Sequence, residues 1–395
     1  MNVAYDLRFA ADHFTGIGTH AFALISALVE QPGDERYTVL WNPALGGRRF
    51  DVAAIARHPR VTWVEHDWHP LWIGDPMRVS AWLRRVKPNV FLSPFYVHPP
   101  AAGCPVVLTA HDASPLVLRG EMSRIGNLLY RTAIKGARRA RFVLTGSEFS
   151  RRELIVFGGL SQDRVRAVPL GVPRRTGGDL VKPAEISDRP FALVVGENRP
   201  RKNLVLLART WQLLADGMDR SADGPPALVS VGRDDRRYPS LEQLAMQAAA
   251  GSRHRPIVRS LGWRSEAEVA WLYAHASLVL FPSRYEGFGF PLVEAFAANA
   301  PVLAADIPAF RETAQAAAYF APPDDPRAWA DAVMALTGDA RARAALIGAG
   351  RARAAELNYE RTAAATVTAL RDAALHRAVP SAIASAAVNA TSDQL

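Results

Sequence analysis

Two kinds of pattern alternate along the chain from its first residues to beyond position 300. Short apolar runs bounded by polar or Gly/Pro positions predict buried strands at 2–5, 37–41, 61–65, 90–93, 105–109 and 141–145, and again at 191–196, 227–232, 257–261, 278–282 and 301–304. Between them, apolar residues recur at helical spacing over 19–29, 79–86, 124–139 and 150–157, from about Leu204, and over 291–298, where Pro291 suits a helix start and Asn299 a stop. Runs that are apolar throughout belong to strands buried on both faces, and strands alternating with helices predict parallel, doubly wound sheets. The pattern pauses at 174–189, a polar stretch rich in Gly, Pro and Asp, and then restarts. The predicted organisation is an α/β domain at 1–173, a linker at 174–189, a second α/β domain at 190–358, a last helix at 359–377 and a small-residue, polar tail at 378–395 expected to be disordered.

Composition adds that both domains have a core to fold around. The chain has 395 residues, 49% of them hydrophobic. A net charge of +9 favours anionic partners, namely nucleotides, lipid head groups or nucleic acid. No nucleic-acid-binding module is recognisable, so a nucleic-acid partner is not expected. Cys104 is the single cysteine, which excludes an intrachain disulfide and a thiolate zinc site. No apolar run approaches the length of a membrane span and the amino terminus lacks a signal-peptide layout, so the expected location is cytoplasmic, peripheral at the inner face of the cell membrane.

The candidate chemistry collects at the predicted carboxyl ends of strands. Glu286 and Glu294 stand eight positions apart around Gly287, Phe288, Gly289 and Phe290, the first in a loop after a strand and the second one turn into a helix. Glycines let backbone N–H groups approach an anion, a helix start adds partial positive charge, and a carboxylate accepts both protons of a vicinal diol. Phosphate plus diols describes a nucleotide sugar; the plainer alternative is an aromatic core flanked by two solvated acids. Gly196 opens a loop that carries Arg199, Arg201 and Lys202 into a helix, and a cation pair at a helix start suits a bound anion better than solvent. Gly16 and Gly18 form a glycine loop before the Thr19 helix; a dinucleotide fingerprint is the weaker reading because about ten residues separate it from the first strand. His111 and Asp112 follow an apolar strand, where a histidine near neutrality can both donate and accept. On the 124–141 helix Arg124, Arg131, Lys135 and Arg138 form one stripe and Ile125, Leu128, Leu129, Ala133 and Gly136 the other side, a solvated basic face or a surface for a membrane or anionic acceptor.

The stretch SRYEGFGFPLVEAFAANAPVLAAD resembles the E-x7-E signature of retaining family 4 glycosyltransferases of the bacterial group 1 type. TGIG at 15–18, HD at 111–112, SEFSRREL at 147–154, the turn at 170–172 with Leu170 for the usual Asn, and PRKN at 200–203 are similar to that family's motifs in the same order. The resemblance implies a GT-B fold, two Rossmann-like domains facing across a cleft, with the last helix packing back on the first domain. It implies transfer of a hexosyl group, mannosyl from GDP-mannose as the leading expectation, from a nucleotide diphosphate sugar to a glycan or lipid-linked acceptor in cell-surface polysaccharide synthesis. No metal or other cofactor is expected. Carried over by position, Lys202 and Arg201 hold the diphosphate, with Glu197 where many members have an arginine. Glu294 takes the ribose and Glu286 the sugar hydroxyls. His111 contacts sugar or acceptor, Asp112 the acceptor, and Gly16, Gly18, Gly196, Gly232, Gly287, Phe288, Gly289 and Phe290 line the donor site. Glu286, His111, Lys202 and Arg201 form the expected catalytic set. A phosphorylase or epimerase of the same fold, or a non-enzymatic sugar-nucleotide binder, are the alternatives.

Overall fold

A computed structural model describes residues 1–11, 14–46, 49–118, 123–172, 179–217 and 225–375. The first domain comprises β1 (Asn2–Asp6), α1 (Thr15–Glu30), β2 (Arg36–Trp41), α2 (Val52–Ala56), β3 (Val61–Glu65), α3 (Asp75–Val86), β4 (Val90–Ser93), β5 (Val106–Thr109), α4 (Ser114–Val117), α5 (Arg124–Ala137), β6 (Phe142–Thr145), α6 (Glu148–Val156) and β7 (Val165–Ala167). Its seven strands form one parallel sheet in the order β3-β2-β1-β4-β5-β6-β7. β4, β5 and β6 are buried at every position, the reason their sequences read as unbroken apolar runs.

The second domain follows with β8 (Phe191–Val195), a 3-10 turn (Pro200–Lys202), α7 (Leu204–Asp216), β9 (Ala227–Val231), α8 (Leu241–Ala248), β10 (Val258–Ser260), α9 (Glu266–His275), β11 (Leu278–Phe281), α10 (Phe290–Ala297), β12 (Val302–Ala305), α11 (Pro308–Ala314), β13 (Tyr319–Ala321), α12 (Pro326–Gly338), α13 (Ala340–Glu356) and α14 (Tyr359–Leu375). Its sheet is also parallel, in the order β10-β9-β8-β11-β12-β13. In each sheet the order reverses beside the first strand, at β1/β4 and at β8/β11. A crevice opens at the carboxyl ends of strands at such a switch point.

One core fills the second domain, around the buried side chains of Trp211, Tyr273, Phe296, Phe310 and Trp329. The first domain has one core on each face of its sheet. Tyr359, Ala363, Val367 and Leu370 of α14 complete the core on the α1 face, so the last helix packs on the first domain although the second precedes it in sequence. Arg371 bonds Glu35 at 2.7 Å and Arg166 bonds Asp372 at 2.7 Å along the same contact. The outgoing and returning connections touch, with the Val172 N–H donating to the Leu357 carbonyl at 3.1 Å.

Three expectations change. Helix α1 begins at Thr15, so Gly16 and Gly18 lie in its first turn and not in a loop before Thr19. The side read as apolar on the 124–141 helix is not its core face: Ile125, Leu128 and Leu129 face outward, and the helix buries Tyr130, Ile134 and Ala137 instead. Of the 174–189 linker, 174–178 lies outside the described residues, and Ile186 belongs to the core of the second domain. The tail at 378–395 lies outside the described residues too.

Candidate functional site

The second domain supplies a charged half-site at the β8/β11 switch point. After β8 the chain passes Gly196 and forms the Pro200–Lys202 turn, ending at Asn203 in the left-handed region (φ 55°). The Asn203 side chain donates to the carbonyls of Pro282 (3.1 Å) and Pro323 (2.8 Å), and the Arg284 N–H donates to the Arg201 carbonyl at 2.9 Å. These bonds lace the basic turn to the loop after β11 and bring Lys202 Nζ to 2.7 Å from Glu286 Oε1 and Arg201 Nη1 to 3.0 Å from Glu286 Oε2. Ser283 Oγ donates to Glu286 Oε1 at 2.9 Å. Burial alone would raise the Glu286 pKa, but Lys202 and Arg201 outweigh it and pull the carboxyl down to about 2. The cluster is therefore a fixed carboxylate between two cations, with an excess of one positive charge. A carboxylate has roughly four acceptor positions, and three are used here. Arg199 instead bonds Glu197 at 2.6 Å, which leaves Arg201 as the arginine beside Lys202.

A cleft runs from this cluster across the ends of β8, β9 and β11, lined by Gly196, Asn198, Lys202, Gly232, Gly262 and Ser283. Gly232 (φ 152°) lies so close to the β8 loop that a Cβ there would fall 2.1 Å from the Gly196 carbonyl oxygen. The residue is glycine because two backbones meet at the cleft floor.

The loop holding Glu286 also touches the first domain. The Gly287 carbonyl accepts hydrogen bonds from Ser147 Oγ (2.5 Å) and Ser150 Oγ (2.9 Å). A Cβ on Gly287 would fall 2.5 Å from the Asp112 Cβ and 2.8 Å from the His111 carbonyl oxygen. Tyr285 donates its hydroxyl hydrogen to Glu153. Glu312, from α11, accepts the backbone N–H groups of Glu148 (2.6 Å) and Phe149 (2.9 Å), so a carboxylate of one domain caps a helix of the other. Phe288 is buried in the seam with Leu170, Val293 and Leu357. Phe290, the first residue of α10 after Gly289, packs against the same cluster and against the first domain's core.

Facing this loop, His111 stands with Nε2 3.2 Å from the Pro94 carbonyl oxygen. That contact assigns the proton to Nε2 and leaves Nδ1 as acceptor. Burial lowers the His111 pKa despite Asp112, so the ring is neutral at pH 7. Asp112 Oδ1 accepts from the Ser114 N–H (2.9 Å) and hydroxyl (2.7 Å), a local turn at the start of α4. Gly16 is exposed at the start of α1, and a Cβ on Gly18 would fall 2.9 Å from the Phe9 carbonyl oxygen. Glu294 accepts from the Tyr273 hydroxyl at 3.3 Å.

Two residues here have no motif to announce them. The ring of His20 stands edge-on to His111 at 5.1 Å, and its Nδ1 lies 3.2 Å from the Tyr359 hydroxyl. His20 Nε2 is buried with no hydrogen-bond partner among the described residues. Burial, then the charge of His111, depress the His20 pKa, and burial followed by the Glu294 charge raises that of Tyr359. His111, His20 and Tyr359 thus stand in succession, and the Glu294 charge is felt at Tyr359. Only the position of His20 directly after TGIGT hinted at this.

Two parallel-sheet domains facing across a cleft, with a basic half-site on one and a histidine loop on the other, define the GT-B class of glycosyltransferases. A protein of that arrangement, HepE from Anabaena solved with UDP and glucose, superposes with a TM-score of 0.65 over 94% of this chain and 100% of its own, at 18% identity. The model of Glycosyltransferase Family 4 matches residues 14–175 and that of Glycosyl transferases group 1 matches residues 189–339. The chain belongs to this family of group 1, family 4 glycosyltransferases. It is similar to O-antigen chain mannosyltransferase B of Escherichia coli, at 31% identity over 193 residues, 47% of this chain and 49% of that one. It is also similar to O-antigen chain mannosyltransferase RfbU of Salmonella typhimurium, at 26% over 227 residues, 57% of this chain and 59% of the relative. The chain thus spans about half the length of the curated relatives it matches.

Proposed function

We propose that this chain is a retaining glycosyltransferase that moves a mannosyl group from GDP-mannose to a hydroxyl of a glycan or lipid-linked acceptor in cell-surface polysaccharide synthesis. The observation that carries the reading is the Arg201–Lys202–Glu286 cluster at the β8/β11 switch point, held against the His111 loop of the other domain. The mannosyltransferase relatives named above support the choice of sugar.

In this reading Arg201 and Lys202 bind the diphosphate, and their charge rises in value as the bond from the anomeric carbon to the phosphate oxygen breaks and the diphosphate leaves with the electron pair. Fixed cations supply this stabilisation, so the proposed reaction uses no metal. The amides at the starts of α1 and α10 add positive ends near the same phosphates. Glu286, kept ionised, accepts sugar hydroxyls with its remaining acceptor capacity, Glu294 accepts the ribose diol, and His111 Nδ1 accepts from a sugar or acceptor hydroxyl. The acceptor oxygen bonds to the anomeric carbon on the face the diphosphate leaves, and its proton passes to the departing phosphate. The protein acts mainly by position and charge. Asp112 serves on the acceptor side by shaping the loop that carries His111.

The test is a thermal-shift screen of GDP, UDP and their sugars, then mass spectrometry and anomeric NMR of products formed with lipid-linked glycan acceptors. GDP-mannose is expected to stabilise the chain, and an α-linked product to appear. Stabilisation by no nucleotide sugar, together with full activity of Lys202→Ala, would end the proposal. Release of nucleotide diphosphate without acceptor would point to a different reaction of the same cleft.

A further inference from the structure

Away from the Gly287 loop, a charged pair also crosses from the first domain to the second. Arg49 Nε lies 2.9 Å from Glu266 Oε1, a residue 217 positions further along the chain. Both ends of the pair are held in place. Arg49 Nη2 donates to the Thr19 hydroxyl on α1 at 2.7 Å, and the guanidinium stands 5.0 Å from the centre of the Phe50 ring. Phe50 packs in turn on Phe22 of α1, with ring centres 5.1 Å apart. On the other side, Glu266 is the first residue of α9, and a capping box fixes that helix start. The Ser265 hydroxyl accepts from the Glu268 N–H at 3.3 Å, and the Glu268 carboxylate accepts from the Ser265 N–H at 2.9 Å. Arg264, two residues before Glu266, pairs with Glu185 instead.

The place of this pair in the fold gives it a use. The start of α9 follows Gly262, which lines the cleft beyond the carboxyl end of β10, whereas the Gly287 seam follows β11. In the sheet order β10-β9-β8-β11 those two contacts stand three strand spacings apart, about 14 Å. The cleft lies between them, with Lys202 toward one end and Gly262 toward the other. A molecule in the cleft is therefore bounded at both ends by contacts between the domains. The two contacts differ in how firmly they hold. Ser147 and Ser150 are buried in the seam, whereas the side chains of Arg49 and Glu266 are 28% and 67% exposed. Exposed ion pairs contribute little and are screened by salt. The outer contact is the one that can open while the seam stays shut.

We propose that Arg49 is a positioning residue which, through Glu266, clasps the end of the cleft over the bound nucleotide and sets how fast the nucleotide diphosphate leaves. The inference rests on the reading of this cleft as the donor site. With the clasp shut, the nucleotide dissociates slowly. With it broken, exchange is faster while Arg201, Lys202 and His111 keep their places. The mark of such a residue is a change in nucleotide release and donor KM that the chemical step does not share.

The test has two arms on the full chain. In the first, no nucleotide is present. Spin labels on Ala54→Cys and Arg255→Cys, exposed positions of the two domains, report the interdomain distance by electron double resonance in a Cys104→Ser background. Arg49→Glu is expected to lengthen and broaden that distance, and Arg49→Glu with Glu266→Arg to restore it. In the second arm, stopped-flow release of GDP and UDP should quicken about threefold to fivefold in Arg49→Ala and in Glu266→Ala, with no further gain in the double variant. The charge swap should bring release back to within about twofold of wild type, and the difference between wild type and Arg49→Ala should shrink in high salt. Label distances that ignore Arg49→Glu overturn the proposal. So does a swap that rescues nothing, or a quickened release in Glu266→Ala that Arg49→Ala lacks. If the labels move as expected while no nucleotide or nucleotide sugar shifts the melting temperature, the donor reading falls and takes the timing of release with it, leaving the interdomain contact. If nucleotides bind and leave every variant at the wild-type rate, the donor reading stands and the clasp falls.

Discussion

Replacing Glu312 by alanine should open the cleft without unfolding either domain. The Glu312 carboxylate accepts two backbone N–H groups at the start of α6, at 2.6 and 2.9 Å, and those groups belong to the other domain. Removing a capping side chain costs about 1–2 kcal/mol, and a negative charge at a helix start adds about 0.3–1 kcal/mol. Glu312 is half-buried, so about 2 kcal/mol is a reasonable total, and all of it belongs to the arrangement with the domains in contact. Each 1.4 kcal/mol is a factor of ten, so the ratio of closed to open molecules should fall about 30-fold. Apparent donor affinity scales with the closed fraction. It should drop a few-fold if the closed form outnumbers the open by about ten to one at the outset, and by up to about 30-fold if the open form already dominates. Glu312→Gln, which keeps one carbonyl acceptor and loses the charge, should fall between. Calorimetric titration with the nucleotide sugar measures the affinity, and small-angle X-ray scattering measures the increase in radius of gyration. The reasoning is refuted if Glu312→Ala binds donor as tightly as wild type and is no more extended in solution.

Three further outcomes follow from the same geometry. The Glu286 carboxyl titrates at about 2 in the folded chain against an ordinary 4.5, so its contribution to stability, on the order of 3 kcal/mol, is complete above about pH 4.5 and is lost as pH falls toward 2. Urea unfolding at several pH values should therefore show wild type more stable than Glu286→Gln at pH 7, with the gap narrowing below pH 4.5; a gap independent of pH contradicts the ion cluster. Gly287→Ala introduces a Cβ 2.5 Å from Asp112 and should raise donor KM about tenfold or more with little change in melting temperature; normal kinetics would mean that the two loops are not held together in solution. Arg8 is fully buried between Asp6 (2.8 Å) and Asp75 (2.5 Å), so Arg8→Ala should destabilise the first domain by about 3–5 kcal/mol, read by chemical denaturation, and a loss under 1 kcal/mol would refute the pairing.

What was readable in the chain was local. β4, β6 and β11 lie within a residue of their apolar runs because a central parallel strand, buried on both faces, leaves the same signature wherever it occurs. β7 (VRA) and β13 (YFA) leave no signature in the sequence because three-residue edge strands with partly exposed positions have no period to detect. The apolar period puts the start of α1 four residues late because two glycines in its first turn look like a loop; Gly18 is there since a side chain would strike the Phe9 carbonyl. The basic turn and the Glu286 loop read as separate motifs, because their joining through Asn203, which bonds Pro282 79 positions away, depends on β8 and β11 becoming neighbours. Glu312 reaches a helix 164 positions away, and His20 meets Tyr359 across 339. No pattern within either segment encodes such pairings.

The long-range pairs bear on how the site works. Glu286 and Gly287 are consecutive, yet the carboxylate of the first is bonded to Arg201 and Lys202, the cations proposed to hold the diphosphate, and the carbonyl of the second to serines of the opposite domain. One peptide unit separates the two functions, about 3.8 Å of chain with two soft torsions. A diphosphate that competes with Glu286 for Arg201 and Lys202 must shift that carboxylate, and the shift reaches the interdomain bonds at the next residue. Closure that fixes the Gly287 carbonyl on Ser147 and Ser150 equally restricts where Glu286 can present its oxygens. Donor binding and domain closure are then one equilibrium observed from two sides, and coupling of this kind is reciprocal. Ser147→Ala should therefore weaken donor binding although Ser147 lies in the other domain, and donor should reduce hydrogen exchange at the amides of Glu148 and Phe149. Exchange there that ignores a saturating nucleotide sugar would show the two events to be independent.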